Sequence, residues 1–442
     1  MNFKNLNLLK QIKSSFLYKI FAVIFSFVLI RLMVQYLGIE QYGIWSVLLT
    51  FINFVLFFDL GITNGIKNKV SISLSNNNKL EAQEYVSTGY IILFILTSFI
   101  YIIYYICSFY IDWQSVFNTS IVENDTLRQV VSISLFFILL NFVLSVISAL
   151  YNATQNASFI VLNQLLTQFI SLSLVSILFL FTKENIVYIA ISYGISLILS
   201  NSLLSIYFYS KHTYLLPKIK LFKIDKIKSI LTLGIKFFIL QLTIFIILST
   251  DKILITQLLG TSYVTSYDIL YKYFSIITIT HGIINTPLWS MYTEAYEKND
   301  YIWIEQILKK MVGMMLIYMS ISFILYIAAD GFIPMWIANN DLILNSSNYI
   351  FMSILILFLV WYSIFAYFTN GINKTKIQLY SALLGAVINI PLAILFVKYL
   401  NMELNGILLS TIISLSIFGI TGPIQAYKEI KLMKQYEKEL KS

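Results

Sequence analysis

Long apolar stretches separated by short polar junctions run the length of the chain. Twelve can be read, at roughly 15–37, 43–64, 86–110, 129–151, 159–182, 187–210, 230–258, 264–290, 306–329, 348–370, 377–399 and 405–427. Each is about 20 residues or more, enough to cross ~30 Å of hydrocarbon as a helix. Lipid offers no partner to a bare N–H or C=O, so only helices and closed barrels span it. The apolar positions are continuous rather than alternating, which predicts helices. The expected fold is an all-α integral membrane protein with twelve transmembrane helices.

The polar junctions then set sidedness. With the N-terminus inside, the even-numbered junctions and both tails hold 23 of the 30 Lys and Arg residues. The outer junctions hold Arg128, Lys183 and Lys398, and Arg31, Lys236, Lys252 and Lys272 fall within spans. Such a split predicts an N-in, C-in topology. A missed helix would swap the sides from that point on and erase the split.

A repeat is also visible. The longest basic inner junction, 211–229, separates six spans from six. The expected organisation is a six-helix lobe over 1–210, a cytoplasmic linker over 211–229, and a second six-helix lobe with a cytoplasmic tail over 230–442. Leu37-Gly38 closes the first span and Leu259-Gly260 closes the seventh, with tyrosines shortly after each. Six spans per half make the halves parallel repeats, a transporter design. Phe3, Leu6, Leu9 and Ile12, and Ile430, Met433, Tyr436 and Leu440, recur at helical spacing among lysines. The ends are therefore either interfacial helices on the inner leaflet or plain extensions of the flanking spans.

Composition narrows the chemistry. Charged residues are 12% of the chain, about half the soluble norm, and the net charge of +9 is spread over inner junctions. That favours topology and anionic membrane lipids over nucleic acid. The single cysteine, Cys107, excludes an intramolecular disulfide, and with only His212 and His281 a metal centre is not expected. No cofactor is expected. No outer or inner loop is long enough to fold as a catalytic domain, so the chain is expected not to be an enzyme.

Six ionisable residues lie well inside spans: Arg31, Asp59, Asp251, Lys252, Asp268 and Lys272. Charge at that depth marks a water-filled path or an ion pair. Arg31 precedes Gly38 by seven residues and Lys252 precedes Gly260 by eight, so both sit roughly 10 Å inside the outer boundary. One reading is a hydrated cavity in which Arg31, Lys252 and Lys272 meet an anionic group. The other is structural. Asp268 and Lys272 are an i,i+4 pair, Asp251 can pair with Arg31 or Lys252, and the six charges sum to zero. Asp59 sits toward the inner end of the second helix. Gln35, Gln241, Thr256, Asn53 and Asn64 add polar groups that serve equally as helix-packing glue. His281 falls on the opposite side of its helix from Lys272.

Residues 36–68 read YLGIEQYGIWSVLLTFINFVLFFDLGITNGIKN. The LG-x-x-x-YG-x-W turn and the FDLGI-x-NG that follows resemble the start of the polysaccharide-biosynthesis, or O-antigen (Wzx-type), flippases of the MATE-like multidrug/oligosaccharidyl-lipid/polysaccharide exporter superfamily. STDKILITQLLG at 249–260 resembles that family's seventh helix. The resemblance implies a flippase for undecaprenyl-diphosphate-linked oligosaccharide units. It would work in the bacterial cytoplasmic (inner) membrane, by alternating access of two lobes. It implies that Arg31, Lys252 and Lys272 meet the diphosphate or acidic sugars. Asp59, Asp251 and Asp268 would then have structural or gating roles. It leaves open a coupling ion, H+ or Na+, and association with a polysaccharide polymerase. The alternatives are an ion-coupled antiporter or drug exporter and, further off, a membrane repeat-unit polymerase. The first helix carries Arg31 and neither acid nor proline, unlike the acidic, proline-bearing helix expected of a cation exporter.

Overall fold

The computed structural model describes residues 3–56, 62–154, 156, 158–339, 342–372 and 374–441. It describes only the backbone at 3–12, 52–56, 64, 232–249, 286, 287, 290 and 436–441. Asp59 lies outside the described residues, as do the side chains of Asn53, Asn64, Lys236 and Gln241. The described chain is helical. Its elements are α1 (Phe3–Leu56), α2 (Ile62–Ser75), α3 (Lys79–Cys107), α4 (Trp113–Phe117), α5 (Asn124–Leu144), α6 (Val146–Ala153), α7 (Ser158–Phe181) and α8 (Ile186–Lys211). They continue with α9 (Ile224–Leu259), α10 (Thr261–Glu297), α11 (Tyr301–Ile337), α12 (Ser346–Gly371), α13 (Lys376–Ile394) and α14 (Glu403–Lys441). Among the described residues, nine helical segments are long and apolar enough to cross a membrane. The first of them, Lys13–Phe51, runs through a break at Gly38. Helices α9 and α10 cover the expected spans 230–258 and 264–290.

The backbone settles several local expectations. α1 starts at Phe3 and α14 runs to Lys441 without interruption, so both ends continue the flanking helices rather than forming separate interfacial ones. Gly38 has φ 74° and ψ 172°, and Gly260 has φ 97° and ψ 169°. Both occupy a region open essentially to glycine alone. The two Leu-Gly sites, 222 residues apart, thus break their helices with one backbone conformation. Side-chain caps fix other helix starts. Asn78 accepts from the Glu81 amide, Asp300 from the Trp303 amide, and Asn345 forms a reciprocal box with Asn348. A short π turn over Leu395–Tyr399 follows Pro391 in α13.

The chain divides into two compact units, Met1–Leu242 and Thr243–Ser442. In the first, the junctions assigned inside come together. Lys226 bridges Glu81 and Glu84 of α3 at 3.6 and 3.2 Å and lies 4.0 Å from the Tyr85 ring centre. Gln83 donates to the Leu216 carbonyl. The amides of Lys218 and Lys223 donate to Ser87 and Thr88. The basic segment 211–229 is therefore strapped along α3. Ile66, Val86, Val146, Leu150, Phe208 and Ile230 are buried beneath it. The junctions assigned outside meet at the other end. Tyr36 bonds to Thr182 and the Lys183 carbonyl, and Thr119 bonds to Glu40.

Unit 2 sorts in the same way. Lys374 pairs with Glu429 at 2.5 Å, and Glu305 takes Lys309 and Lys434 at 2.8 and 2.6 Å. Those two ammonium groups hold the Glu305 carboxyl down at about 2. Asn348 and Ser347 bond to Asn405 at the opposite end. α13 and α14 approach closely where Gly385 faces α14. A Cβ there would stand 2.8 Å from the Ser414 carbonyl oxygen, as small residues permit in membrane bundles.

Candidate functional site

The α9–α10 corner gathers the intramembrane charge of unit 2. Gly260 breaks the chain there, so Asp251 and Lys252 precede the turn, while Tyr267, Asp268, Tyr271 and Lys272 follow it. Lys252 Nζ lies 2.6 Å from Asp268 Oδ1, with side-chain exposures of 24% and 15%. Sequence spacing offered Asp268 the partner Lys272, one turn along the same helix. An ion pair to Asp268 also crosses from α9 to α10. A pair between neighbouring helices has no periodic signature, which is why spacing did not reveal it.

Asp251 is buried at 2% exposure and bonds to hydroxyls, not to Arg31 or Lys252. Thr411 of α14 donates to its Oδ1 at 2.7 Å, and Tyr267 donates to its Oδ2 at 3.3 Å. Asn389 of α13 donates in turn to Thr411 at 3.1 Å. Tyr267 stacks on Tyr271, with centroids 6.1 Å apart. Asp251 thus ties α9 to α10 and α14, a positioning arrangement. Two adjacent residues therefore take different partners at one cavity: Asp251 is held by hydroxyls of α10 and α14, and Lys252 by the Asp268 carboxylate.

That cavity measures about 170 Å³ and is lined by Asp251, Lys252, Tyr267, Asp268, Tyr271, Leu355, Leu359 and Thr411. It is smaller than the ~300–1,000 Å³ typical of ligand pockets. It admits one small polar group rather than an oligosaccharide. Chemically it offers one ammonium, the two carboxyl groups of Asp251 and Asp268, two phenols and the Thr411 hydroxyl. An anionic group entering it would compete with Asp268 for Lys252.

The remaining expected residues are placed as follows. Lys272 is half-buried one turn beyond Asp268. Arg31 belongs to unit 1 and is exposed, on the face of α1 that also carries Leu17, Ile20, Ile24 and Val28. Among the described residues Arg31 makes no ion pair. Tyr271, Leu355, Leu359 and Thr411 were not singled out from sequence. Thr411 had a usable signal, because Ser410, Thr411 and Ser414 form a hydroxyl cluster inside an apolar span. The tyrosines and leucines had none, since either is common in any span.

Comparison with known proteins follows the same outline. The family described as polysaccharide biosynthesis protein matches residues 8–293, which include 36–68, 249–260 and the α9–α10 residues 251–272 of the charged corner. A candidate O-antigen export protein of Yersinia pseudotuberculosis is 21% identical over 408 residues, 90% of each chain. An inward-facing multidrug resistance MATE family transporter of the MOP superfamily aligns with a TM-score of 0.79 at 14% identity. The alignment covers 94% of this chain and 96% of that one. An outward-facing transporter of the same description aligns at 0.65 and 17% identity, covering 96% of each. At these identities the solved structures establish the fold alone.

Proposed function

Because this chain belongs to the polysaccharide biosynthesis protein family, we propose that it moves lipid-diphosphate-linked oligosaccharide units from the inner to the outer leaflet of the bacterial cytoplasmic membrane. It is a multi-pass membrane transporter of MATE-like fold. The proposed architecture is twelve spans in two six-helix lobes, N-in and C-in, alternating in access. The split of basic residues supports the sidedness.

The observation that carries the reading is the family match, which spans both motif blocks and the charged corner. The corner's geometry fits it. Lys252 lines a small cavity while its carboxylate partner can release it, so a diphosphate has a cation to meet. Arg31 is the counterpart proposed for unit 1, where a guanidinium can grip phosphate oxygens in a fork. Lys272 is the third cation. Asp251 holds the helices in place, and Asp268 gates Lys252. Asp59 keeps a structural or gating role by resemblance.

Deleting the gene tests the substrate class. The expected result is loss of surface polysaccharide, with the lipid-linked unit accumulating on the inner leaflet. Normal polysaccharide with lost drug resistance would favour a drug antiporter. Accumulation of single repeat units already on the outer leaflet would favour a polymerase.

A further inference from the structure

The strap over 211–229 in unit 1 carries a surface that packing leaves open. Ile219 and Ile224 are 85% and 74% exposed, and Leu216 is exposed beside them in sequence. Lys218, Lys220 and Lys223 alternate with these residues and are exposed too. None of the three makes an ion pair among the described residues. The strap holds six lysines against one carboxylate, Asp225. The acids of α3 beside it, Glu81 and Glu84, are taken by Lys226. The bonds from Gln83, Ser87 and Thr88 fix the strap's backbone, so this apolar and basic surface is held in place rather than left to collapse.

Its depth follows from α3. The exposed apolar face of that helix runs from Phe94 through Phe99 and Ile102 to Ile106. Arg128 covers the Phe109 ring at the outer end, 4.7 Å from its centroid. Hydrocarbon ~30 Å thick takes about 20 residues of helix, which counted back from Phe109 ends near Gly89. Thr88, the next residue, accepts from the Lys223 amide, and Ser87 accepts from the Lys218 amide. Gln83, bonded to the Leu216 carbonyl, lies about 8 Å farther from the hydrocarbon. The headgroup layer is roughly 5–7 Å deep on each side. The strap therefore lies at headgroup level, with the Lys223–Ile224 end nearest the acyl chains.

We propose that the strap is a docking surface for anionic phospholipid. Ile219 and Ile224 seat between lipid headgroups, and Lys218, Lys220 and Lys223 bind the phosphates. The occupant is fixed by charge and by depth. Lysine clusters next to a spanning helix attract anionic headgroups, and the strap joins α8 to α9. Isoleucines exposed at this level gain by leaving water for the headgroup and acyl boundary, which a soluble polyanion does not offer. The consequence is a lipid requirement. The segment that connects the two halves of the sequence is held by α3 on one side and by anionic lipid on the other. This goes beyond the transport reading and does not rest on it.

The test uses the full chain, carrying Cys107→Ala, in nanodiscs of phosphatidylcholine alone or mixed with phosphatidylglycerol. A nitroxide is attached at Ile219→Cys or Ile224→Cys, and at Asn76→Cys as a control, an exposed position in the turn before α3. With phosphatidylglycerol present, both strap labels should be reached by oxygen and shielded from a water-soluble nickel complex. Nickel access should rise in phosphatidylcholine alone. It should also rise at about 1 M salt, where the screening length falls to ~3 Å. The Asn76 label should stay open to nickel throughout. Strap labels as open as the control in every disc overturn the proposal. Equal shielding in both lipids also overturns it, because the charge then plays no part. Both leaflets of a nanodisc hold the same lipids, so the result does not depend on which side the strap faces. A second measurement follows phosphatidylglycerol bound to the detergent-purified protein by native mass spectrometry. Replacing Lys218, Lys220 and Lys223 by Gln together should weaken that binding by about fivefold per lysine and leave phosphatidylcholine binding unchanged. Unchanged phosphatidylglycerol binding, or its displacement by soluble glycerol phosphate, overturns the proposal. The salt arm keeps the native lysines, so it decides the matter even where the triple variant fails to insert.

Discussion

Lys252 and Asp268 stand 2.6 Å apart across the α9–α10 corner, an ion pair between residues sixteen positions apart. Removing one member leaves the other charge in a low-dielectric site, a loss of about 3–5 kcal/mol for a fully buried pair. Both side chains are partly exposed, so the lower end applies. Lys252→Ala and Asp268→Ala should each lower the melting temperature in detergent, and the double substitution should recover most of it. If the double variant also regains transport, the pair is structural. If it regains stability and stays inactive, Lys252 contacts the substrate.

Arg31 has no carboxylate partner among the described residues, so the same logic gives a different forecast. Arg31→Ala should cripple transport while the protein inserts and melts near the wild-type temperature. Arg31→Lys should keep part of the activity, since the charge survives and the bidentate fork does not. Full activity in Arg31→Ala would remove it from the substrate path.

Gly38 and Gly260 give a backbone test of the repeat. A Cβ at either would meet nothing within 4 Å, so the whole penalty of alanine is conformational. Each substitution should cost about 1–3 kcal/mol. Gly313 also has open space, but it sits inside α11 without a positive φ. Gly313→Ala should be neutral or stabilising by up to ~1 kcal/mol. Thermal melts of the three variants check the contrast, and equal behaviour would contradict it.

These cases show what the sequence could and could not carry. The all-helical, membrane-crossing character was legible because lipid imposes length and apolarity on every crossing helix. The Leu-Gly echo was legible because the backbone at Gly38 and Gly260 admits essentially no other residue. The Lys252–Asp268 partnership was not, because it depends on how two helices meet. The segment 211–229 read as a cytoplasmic linker from its charge, and its backbone bonds to Gln83, Ser87 and Thr88 of α3 were not visible in that pattern.

Topology can be checked by labelling. Cys107 is exposed and must first be replaced by alanine. Single cysteines at Ser120 and Ser346 should then react with an impermeant reagent in intact cells, whereas those at Asn76 and Lys220 should not. All four positions are exposed, so silence cannot be blamed on burial. Labelling at Lys220 would overturn the N-in assignment.

The most direct test of the flippase reading is reconstitution. Purified protein is placed in liposomes with a polyprenyl-diphosphate-linked oligosaccharide, and the headgroup accessible to an external lectin is followed in time. The account predicts rapid equilibration of the headgroup between leaflets, lost in Arg31→Ala and in Lys252→Ala/Asp268→Ala. Equilibration no faster than in protein-free liposomes, with the protein inserted and folded, would contradict it.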